Sequence, residues 1–391
     1  MKKVILMVDA AADFPSPALR DQTPLETARC PHARALAREG RGGALKFTAR
    51  QSSHSMSMLG QVYRGEGVAL DRVRWGPLAG RSLGWDPDSS RFRTLGHFVT
   101  CVDDVITCAA FPHALSEQNA LLEALRDALR SELSPTVELA SFGKGRFVVD
   151  LPLLDIGNLD SLTPADVVGK SMAKLRRRLP APLETVHRVA EEVLGTHAIN
   201  QVRLDLGENP LNGIWMWSGG SLSGVNRHPE AHRKALVSCE PLALGLAKAL
   251  GLEALDMENP YGLNRIDAAF DVGAFLEMTG RCDEITVWIP APFLRDQAEG
   301  PEEKVRRLDA IDYYVTGPIR AILEEQPSAR LLLMSAGVRN RGLPEKGRAP
   351  FVLWGDGVPA DETQGWHERD ALRGALGVPK FANLLETLRR T

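Results

Sequence analysis

The hydrophobic pattern predicts strands and helices that alternate along most of the chain. Apolar runs at Lys2–Val8, Glu284–Ile289 and Arg330–Ser335 predict strands buried on both faces, as in a parallel sheet. Leucines at helical spacing predict an amphipathic helix over Ser116–Leu133, and a long helix is predicted over Pro301–Glu325. This alternation predicts an α/β fold with a doubly wound, mostly parallel sheet.

Capping residues followed by proline mark two further helix starts. Thr23 and Pro24 introduce a helix predicted to end at Gly40, and Thr163 caps a helix predicted over Pro164–Arg178. The remaining predicted strands are Ala44–Thr48, Asn212–Trp217, Lys234–Ser238 and Phe351–Trp354, and the remaining helices are Leu183–Leu194, Pro241–Leu250 and Phe381–Arg390.

The pattern changes at His97, where a compact group of strands and one helix begins. The strands are predicted at Phe98–Ala109, Val137–Phe142 and Arg146–Leu151. We interpret this group as a smaller α+β cap domain inserted into the core. The predicted domains are a core of residues 1–96 and 196–391 and a cap of residues 97–195.

Composition narrows the class of protein. The 391 residues are 44% hydrophobic and 25% charged, with a formal net charge of -3, which gives no support for binding to nucleic acid or to an anionic membrane. No apolar stretch is long enough to span a membrane, and the first apolar run is too short for a signal peptide. The five scattered cysteines indicate reduced thiols, so we predict a cytoplasmic protein.

Four collinear blocks resemble the archaeal-type, cofactor-independent phosphoglycerate mutases of the alkaline phosphatase superfamily. Asp9 and the run Thr23-Pro-Leu-Glu-Thr-Ala-Arg-Cys-Pro-His32 are similar to an Asp followed by TPLEAARTPN. The most specific block, His197 to Gly220, is similar to HxxNxxR followed by GENPAN and IWLWGQG. The other two blocks are Met58-Leu-Gly60 with Trp75-Gly-Pro-Leu78, and Glu303–Ala321. The resemblance implies an alkaline-phosphatase-like core with an inserted cap.

The resemblance also implies a chemistry, which is phosphoryl transfer between two hydroxyls of glycerate through a phosphoserine. Two metal ions, usually manganese, would hold the serine and the phosphate. Paired cations lower the pKa of a hydroxyl and neutralise charge on the transferred group, and their ligands are carboxylates, imidazoles and the serine oxygen.

Most of the metal ligands that the resemblance implies are missing from this sequence. Asp9 matches the first of them, but Phe293 and Gln297 stand where the motif APDEAGH has its Asp and His. The motif SDH becomes Ser335-Ala336-Gly337, and Lys346 stands at the last His. We therefore predict that the two-metal site is lost and that the protein has no cofactor. Two manganese or zinc ions are expected only if these segments are misaligned.

Five residues are candidates for catalysis in what remains of this site: Ser52, Ser53, His54, Asp9 and Lys346. An ungapped match places Gln51 on the nucleophilic serine, and a shift of one residue places Ser52 there. A Ser–His pair supports nucleophilic or acid–base chemistry without metal, whereas a turn that caps the next helix is the structural alternative. Lys346 either offsets the charge of Asp9 or is a solvated loop lysine.

Substrate binding is assigned to Arg203, His197, Asn200 and Arg146. The first three lie at helical spacing and match the third block, so they either orient a phosphate or carboxylate or form a structural network. Arg146 lies close to a substrate arginine of the family, out of register. Trp215 and Trp217 are interpreted as core residues.

Three functions remain open for this chain. The first is a metal-independent pseudoenzyme or binding protein that recognises a small phosphorylated or carboxylated ligand or a protein partner. The second is a repurposed metal-free enzyme that acts on an anionic small molecule in a biosynthetic pathway. The third is an active metal-dependent mutase or phosphatase. All three share an isomerase ancestry.

Overall fold

The structure is a computed structural model that describes residues 2–46, 55–63, 68, 73–88, 90–109, 115–143, 145–152, 156–159, 162–222, 225–257, 269–290, 300–337 and 348–390. The chain forms two compact units. The first unit comprises Met1–Leu70 and Asn226–Thr391, and the second comprises Asp71–Val225.

The strands of the described residues, in chain order, are β1 Lys3–Val8, β2 Arg41–Lys46, β3 Arg91–Val102, β4 Val105–Cys108, β5 Glu138–Gly143, β6 Arg146–Pro152, β7 Gly213–Gly220, β8 Lys234–Ser238, β9 Glu253–Asp256, β10 Glu284–Ile289, β11 Arg330–Ser335 and β12 Arg348–Gly355.

The helices, in chain order, are α1 Pro24–Thr27, α2 Pro31–Glu39, α3 Ser55–Val62, α4 Trp75–Ser82, α5 Leu115–Glu132, α6 Pro164–Val167, α7 Met172–Arg176, α8 Ala181–Thr196, α9 Ala198–Asp205, α10 Pro241–Leu250, α11 Val272–Arg281, α12 Pro301–Ile311, α13 Gly317–Glu324, α14 Glu368–Ala371 and α15 Phe381–Arg389. A π-helical segment, Asp312–Thr316, joins α12 to α13. Within the described residues, no helix is long and apolar enough to cross a membrane.

The described strands of the first unit form a mostly parallel sheet, as predicted. Their order is β2-β12-β11-β1-β10-β8-β9. β1 lies between β10 and β11 and is parallel to both, which explains why its residues from Val4 to Val8 are fully buried. β12 and β2 add an antiparallel edge. The carboxyl ends of β1, β10 and β11 therefore meet at one edge of the sheet.

The second unit contains its own antiparallel sheet. β3 pairs with β4, β6 and β7, and β6 also pairs with β5. One face is covered by α5 and α8, whose leucines and valines pack against Phe92, Phe98 and Phe147. The unit extends beyond the predicted cap of residues 97–195, because β3 begins at Arg91 and pairs with β7. The segment predicted as the first strand of a second α/β run, Asn212–Trp217, belongs to this sheet.

Three predicted elements are divided in the structure. The helix predicted over Leu25–Gly40 becomes α1 and α2, because Pro31 restricts Cys30, which lies in the left-handed region at φ 36°. The strand predicted over Phe98–Ala109 becomes the hairpin of β3 and β4. Asp103 and Asp104 form its two-residue turn with φ values of 46° and 67°.

Other boundaries agree closely with the predictions. β8, α10, β10 and β11 have the predicted limits, and the capping box of Thr23 with Glu26 is present at α1. The helix predicted over Pro164–Arg178 is instead two short helices, α6 and α7.

Candidate functional site

Asp9 follows β1 at the edge where three parallel strands end. Val8 is paired with Ile289 on one side and with Ser335 on the other. The Asp9 amide donates to the Ile289 carbonyl at 2.8 Å, and the Ala336 amide donates to the Val8 carbonyl at 3.0 Å. Polar groups in open α/β sheets serve ligands at this edge, so Asp9 occupies the position expected of a functional residue.

Ser335 fixes the backbone around Asp9. Its hydroxyl accepts a hydrogen bond from the Ala12 amide at 2.9 Å and donates to the Gly337 carbonyl at 2.6 Å. Ala10 adopts a left-handed conformation, with φ 55°, and Asp9 itself is only 3% exposed. The segment that carries Asp9 is therefore tied to the end of β11 by a buried hydroxyl.

The two residues after Ser335 are Ala336 and Gly337, and they lie beside Asp9. A Cβ atom added to Gly337 would lie 3.5 Å from Asp9 Oδ1, an ordinary van der Waals distance, so the described residues leave room for a Cβ atom there. Neither residue offers a metal ligand. In the described part of the chain, no group of three or more His, Cys, Asp or Glu side chains is arranged to hold a metal ion. Ala336 and Gly337 thus supply no side-chain ligand at two of the positions that the resemblance implies.

A buried ion pair lies in the same segment as Asp9. The Lys304 ammonium on α12 lies 3.0 Å from Asp13 Oδ2 and 3.4 Å from the Ala12 carbonyl. The side chains are 3% and 0% exposed. The lysine thus binds both a backbone and a side-chain oxygen of the loop that follows β1, and it stabilises the position of that loop.

Glu368 extends this buried network. Its carboxylate accepts hydrogen bonds from the Asp13 amide at 3.0 Å and from the Thr23 hydroxyl at 2.6 Å. Burial raises the pKa of Glu368, and these hydrogen bonds and the charge of Lys304 oppose that shift. No local sequence signal predicts Asp13, Lys304 and Glu368, because their contacts join residues about 290 and 355 positions apart.

Four of the five predicted catalytic residues lie outside the described residues. These are Ser52, Ser53, His54 and Lys346, and their roles stay predictions. Asp9 is the member of the set whose position the structure describes. Helix α3 begins at Ser55, directly after the predicted Ser–His cluster.

Three of the predicted substrate-binding residues lie at α9 in the second unit: His197, Asn200 and Arg203. Each makes hydrogen bonds or ion pairs to other residues of that unit. Asn200 is buried, donates to the carbonyls of Leu194 and Leu211, and accepts from the Leu211 amide. The Arg203 guanidinium is 2.9 Å from Glu117 and 3.2 Å from Glu208. His197 is the N-cap of α9, where its Nδ1 accepts from the Ile199 amide. These contacts connect α9 to other elements of its own unit, and the substrate-binding role of the three residues stays a prediction.

Arg146 has a different environment at the start of β6. It is half-buried and lies directly opposite His97 on β3, which in turn lies opposite Trp215 on β7. Directly opposed residues in antiparallel strands point to the same face of a sheet. Arg146 and His97 are therefore neighbours on the sheet face that includes Trp215. Trp215 is 2% exposed and belongs to the core, as predicted.

The sheet order, the Asp9 edge and the second unit define an alkaline-phosphatase-like α/β fold, and solved structures agree. A protein from Pyrococcus horikoshii has a TM-score of 0.68 at 19% identity, with 99% of this chain and 97% of the other covered. The cofactor-independent phosphoglycerate mutase from Thermoplasma acidophilum has a TM-score of 0.56 at 21% identity, with 99% of each chain covered.

Sequence comparison adds evidence that the chain shares ancestry with phosphoglycerate mutases. The 2,3-bisphosphoglycerate-independent phosphoglycerate mutase of Methanothrix thermoacetophila is 27% identical over 99% of this chain and 99% of its own length. No model of a protein family matches the sequence. The chain is homologous, over 99% of its residues, to archaeal-type 2,3-bisphosphoglycerate-independent phosphoglycerate mutases, which confirms the resemblance stated from its motifs.

Proposed function

We propose that this protein is a phosphoglycerate-mutase-like binding protein that recognises a small phosphorylated or carboxylated ligand without metal. In this proposal the two-metal phosphoryl-transfer site has been lost, and the protein is a pseudoenzyme. The homologues are named phosphoglycerate mutases, and a phosphoglycerate carries both kinds of anionic group.

The observation that carries the proposal is the position of Gly337. A side chain at this position would contact Asp9, and the resemblance implies an imidazole there and a carboxylate at Ala336. Among the described residues, the atom nearest to the added Cβ is Asp9 Oδ1 at 3.5 Å, so this part of the structure does not force a glycine at the site. Two of the implied ligands are therefore absent although Asp9 and the strand ends beside them are kept, which supports loss of metal chemistry.

Anion recognition is assigned to Arg146. The planar guanidinium of an arginine forms forked hydrogen bonds that suit carboxylates and phosphates. Arg203 is bonded to two carboxylates and to the Asn209 carbonyl, which supports a structural role for it. We assign ligand binding to Arg146, which lies at the start of β6 directly opposite His97.

The test is calorimetric titration of the protein with 3-phosphoglycerate in excess EDTA, together with a mutase assay in manganese. We expect binding in EDTA that Arg146→Met weakens about tenfold or more, because a charged hydrogen bond contributes about 1.5–3 kcal/mol. Arg177→Met is the matched control, since Arg177 is an exposed arginine of the same unit. Manganese-dependent turnover of 3-phosphoglycerate by the wild-type protein would overturn the proposal.

A further inference from the structure

A basic surface lies on the second unit around α7, and we define it by four cations and two flanking valines: Lys170, Lys174, Arg177, Arg178, Val105 and Val168. Between Asp166 and Glu184 the sequence has five basic residues and no acidic one, although the formal net charge of the chain is -3. The fifth cation, Arg176, is bonded to Glu191 at 2.7 Å. The other four are exposed, and no ion pair joins them to a carboxylate of the described residues.

The backbone of this surface is fixed by hydrogen bonds to the hairpin of β3 and β4. The Met172 amide donates to the Asp104 carbonyl at 2.7 Å, and the Ala173 amide donates to Asp104 Oδ1 at 2.8 Å. Ser171 forms an isolated β-bridge with Val105, and Met172 is buried in the core beneath α7. The cations are therefore carried on an ordered support, which reduces the conformational entropy that binding a partner would cost.

Three of the cations lie close together on one helical turn. The Arg177 amide donates to the Ala173 carbonyl and the Arg178 amide to the Leu175 carbonyl, each at 3.2 Å, so the turn of α7 continues past its last residue. Residues three or four apart on a helix are neighbours, which places Lys174 beside both arginines, and like charges at this spacing destabilise a helix. A negatively charged partner would remove this repulsion.

The basic surface also has an apolar part. Val105 and Val168 are 37% and 44% exposed. The Gly169 amide donates to the Ile106 carbonyl at 2.8 Å, which holds the segment that carries Val168 against β4. Interfaces between proteins are enriched in arginine and bury apolar side chains at their centre. This surface thus suits a partner that presents carboxylates and apolar side chains together.

Nucleic acids, anionic bilayers and acidic protein segments all carry dense negative charge, and the structure favours the last. Single-stranded nucleic acids stack their bases on aromatic side chains, whereas the exposed apolar side chains here are valines. A uniformly negative bilayer would be repelled by Asp103, which is exposed in the hairpin turn between Val102 and Val105. A protein segment can place carboxylates at the cations and a neutral or basic residue at Asp103.

We propose that the basic surface docks an acidic segment of a partner protein, whose carboxylates pair with the four cations and whose apolar side chains pack against Val105 and Val168. Complementary charge across an interface selects the partner and speeds its association. This docking does not involve Arg146 and stands independently of the anion binding proposed there.

The probe is a short, fluorescently labelled helical peptide that carries glutamates and leucines on one face. The same peptide with glutamine in place of glutamate is its neutral counterpart. Phosphatidylserine vesicles and a duplex DNA represent the other two classes of partner. Binding to the full chain is measured by fluorescence anisotropy for the peptides and the DNA and by co-sedimentation for the vesicles, at low and at physiological ionic strength.

Two triple variants separate a specific surface from bulk charge. The test variant reverses three cations of the basic surface: Lys174→Glu, Arg177→Glu and Arg178→Glu. The matched control reverses three exposed cations of the first unit: Arg38→Glu, Arg373→Glu and Lys380→Glu. Both change the net charge equally, and both should fold as the wild-type protein does, since substitutions at exposed positions rarely destabilise. Val168→Ser tests the apolar contact, with Val202→Ser, exposed on α9, as its control.

We expect the acidic peptide to bind the wild-type protein, more weakly as salt is raised, and the neutral peptide not to bind. The test variant should lose about tenfold or more in affinity, because attraction becomes repulsion, whereas the matched control should keep most of it. Val168→Ser should weaken binding severalfold and Val202→Ser should not. The proposal is overturned if both triple variants lose affinity equally, or if the acidic peptide does not bind at low salt. Tighter binding of the vesicles or the DNA through the same cations would also overturn it, since the partner would then be of another class.

Discussion

Replacing Lys304 by methionine tests the buried network that holds the Asp9 segment. Lys304 and Asp13 are 3% and 0% exposed and 3.0 Å apart, so the substitution leaves a buried carboxylate without its lysine. Removing one partner of a buried ion pair costs about 3–5 kcal/mol, because the remaining charge is no longer compensated. We expect Lys304→Met to lower the free energy of unfolding by about that amount.

The assay is urea unfolding followed by circular dichroism, with Arg306→Met as the matched control. Arg306 lies on the same helix and pairs with Glu303, but its side chain is 73% exposed, so its loss should cost at most about 1 kcal/mol. Adding Asp13→Asn to Lys304→Met should recover part of the stability, since both charges are then gone. A loss below about 1 kcal/mol for Lys304→Met alone would refute this account of the network.

Three further predictions concern the site and its supports. Ala336→Asp combined with Gly337→His should bind Mn2+ more tightly than the wild-type protein in electron paramagnetic resonance titrations, and an unchanged affinity would contradict the position assigned to these residues. Asn200→Ala should lower the free energy of unfolding in urea by about 2–4 kcal/mol, because buried backbone groups of Leu211 and Leu194 lose their hydrogen-bond partner. A change within about 0.5 kcal/mol, roughly that of a surface substitution, would argue against the network. The raised pKa of Glu368 means that the folded state holds its proton more tightly, so wild-type stability gains a contribution as pH falls towards that pKa. Glu368→Gln removes this contribution, and the thermal stability of the variant relative to wild type should therefore decline as pH is lowered; a pH-independent difference would be the opposite result.

The sequence predicted the core elements well because their signals are local. β1, β10 and β11 are short apolar runs, and parallel strands end at a common edge, so the proximity of Asp9 to residues 336 and 337 follows from the strand ends. The Thr23 capping box was equally local, since the threonine and Glu26 are three residues apart.

Other features depend on contacts that no local pattern encodes. The break at Cys30 is supported by Asp309, whose carboxylate accepts from the Arg29 and Cys30 amides, and by Asp312, which caps α2 through the His32 and Ala33 amides. These partners lie about 280 positions away in the chain. The network of Asp13, Lys304 and Glu368 has the same origin, and so it could be found only in the folded structure.

The cap boundaries show a third limit of the sequence. The change of pattern at His97 is real, but it falls in the middle of β3, whose first half pairs with β6 and β7. The extent of the second unit is set by the pairing of its strands and not by the change in hydrophobic pattern along the sequence. The neighbours of Arg146 likewise depend on the register between β6 and β3.

In the function that we propose, the two-metal site has been lost from a retained phosphoglycerate-mutase fold. The most direct test is the metal content of protein purified with manganese and zinc present and without chelator, measured by inductively coupled plasma mass spectrometry. The account predicts no stoichiometric manganese or zinc. Two ions per chain that are lost in the Asp9→Ala variant would contradict the loss of the site. Metal-dependent phosphoglycerate mutase activity would then be the best-supported function.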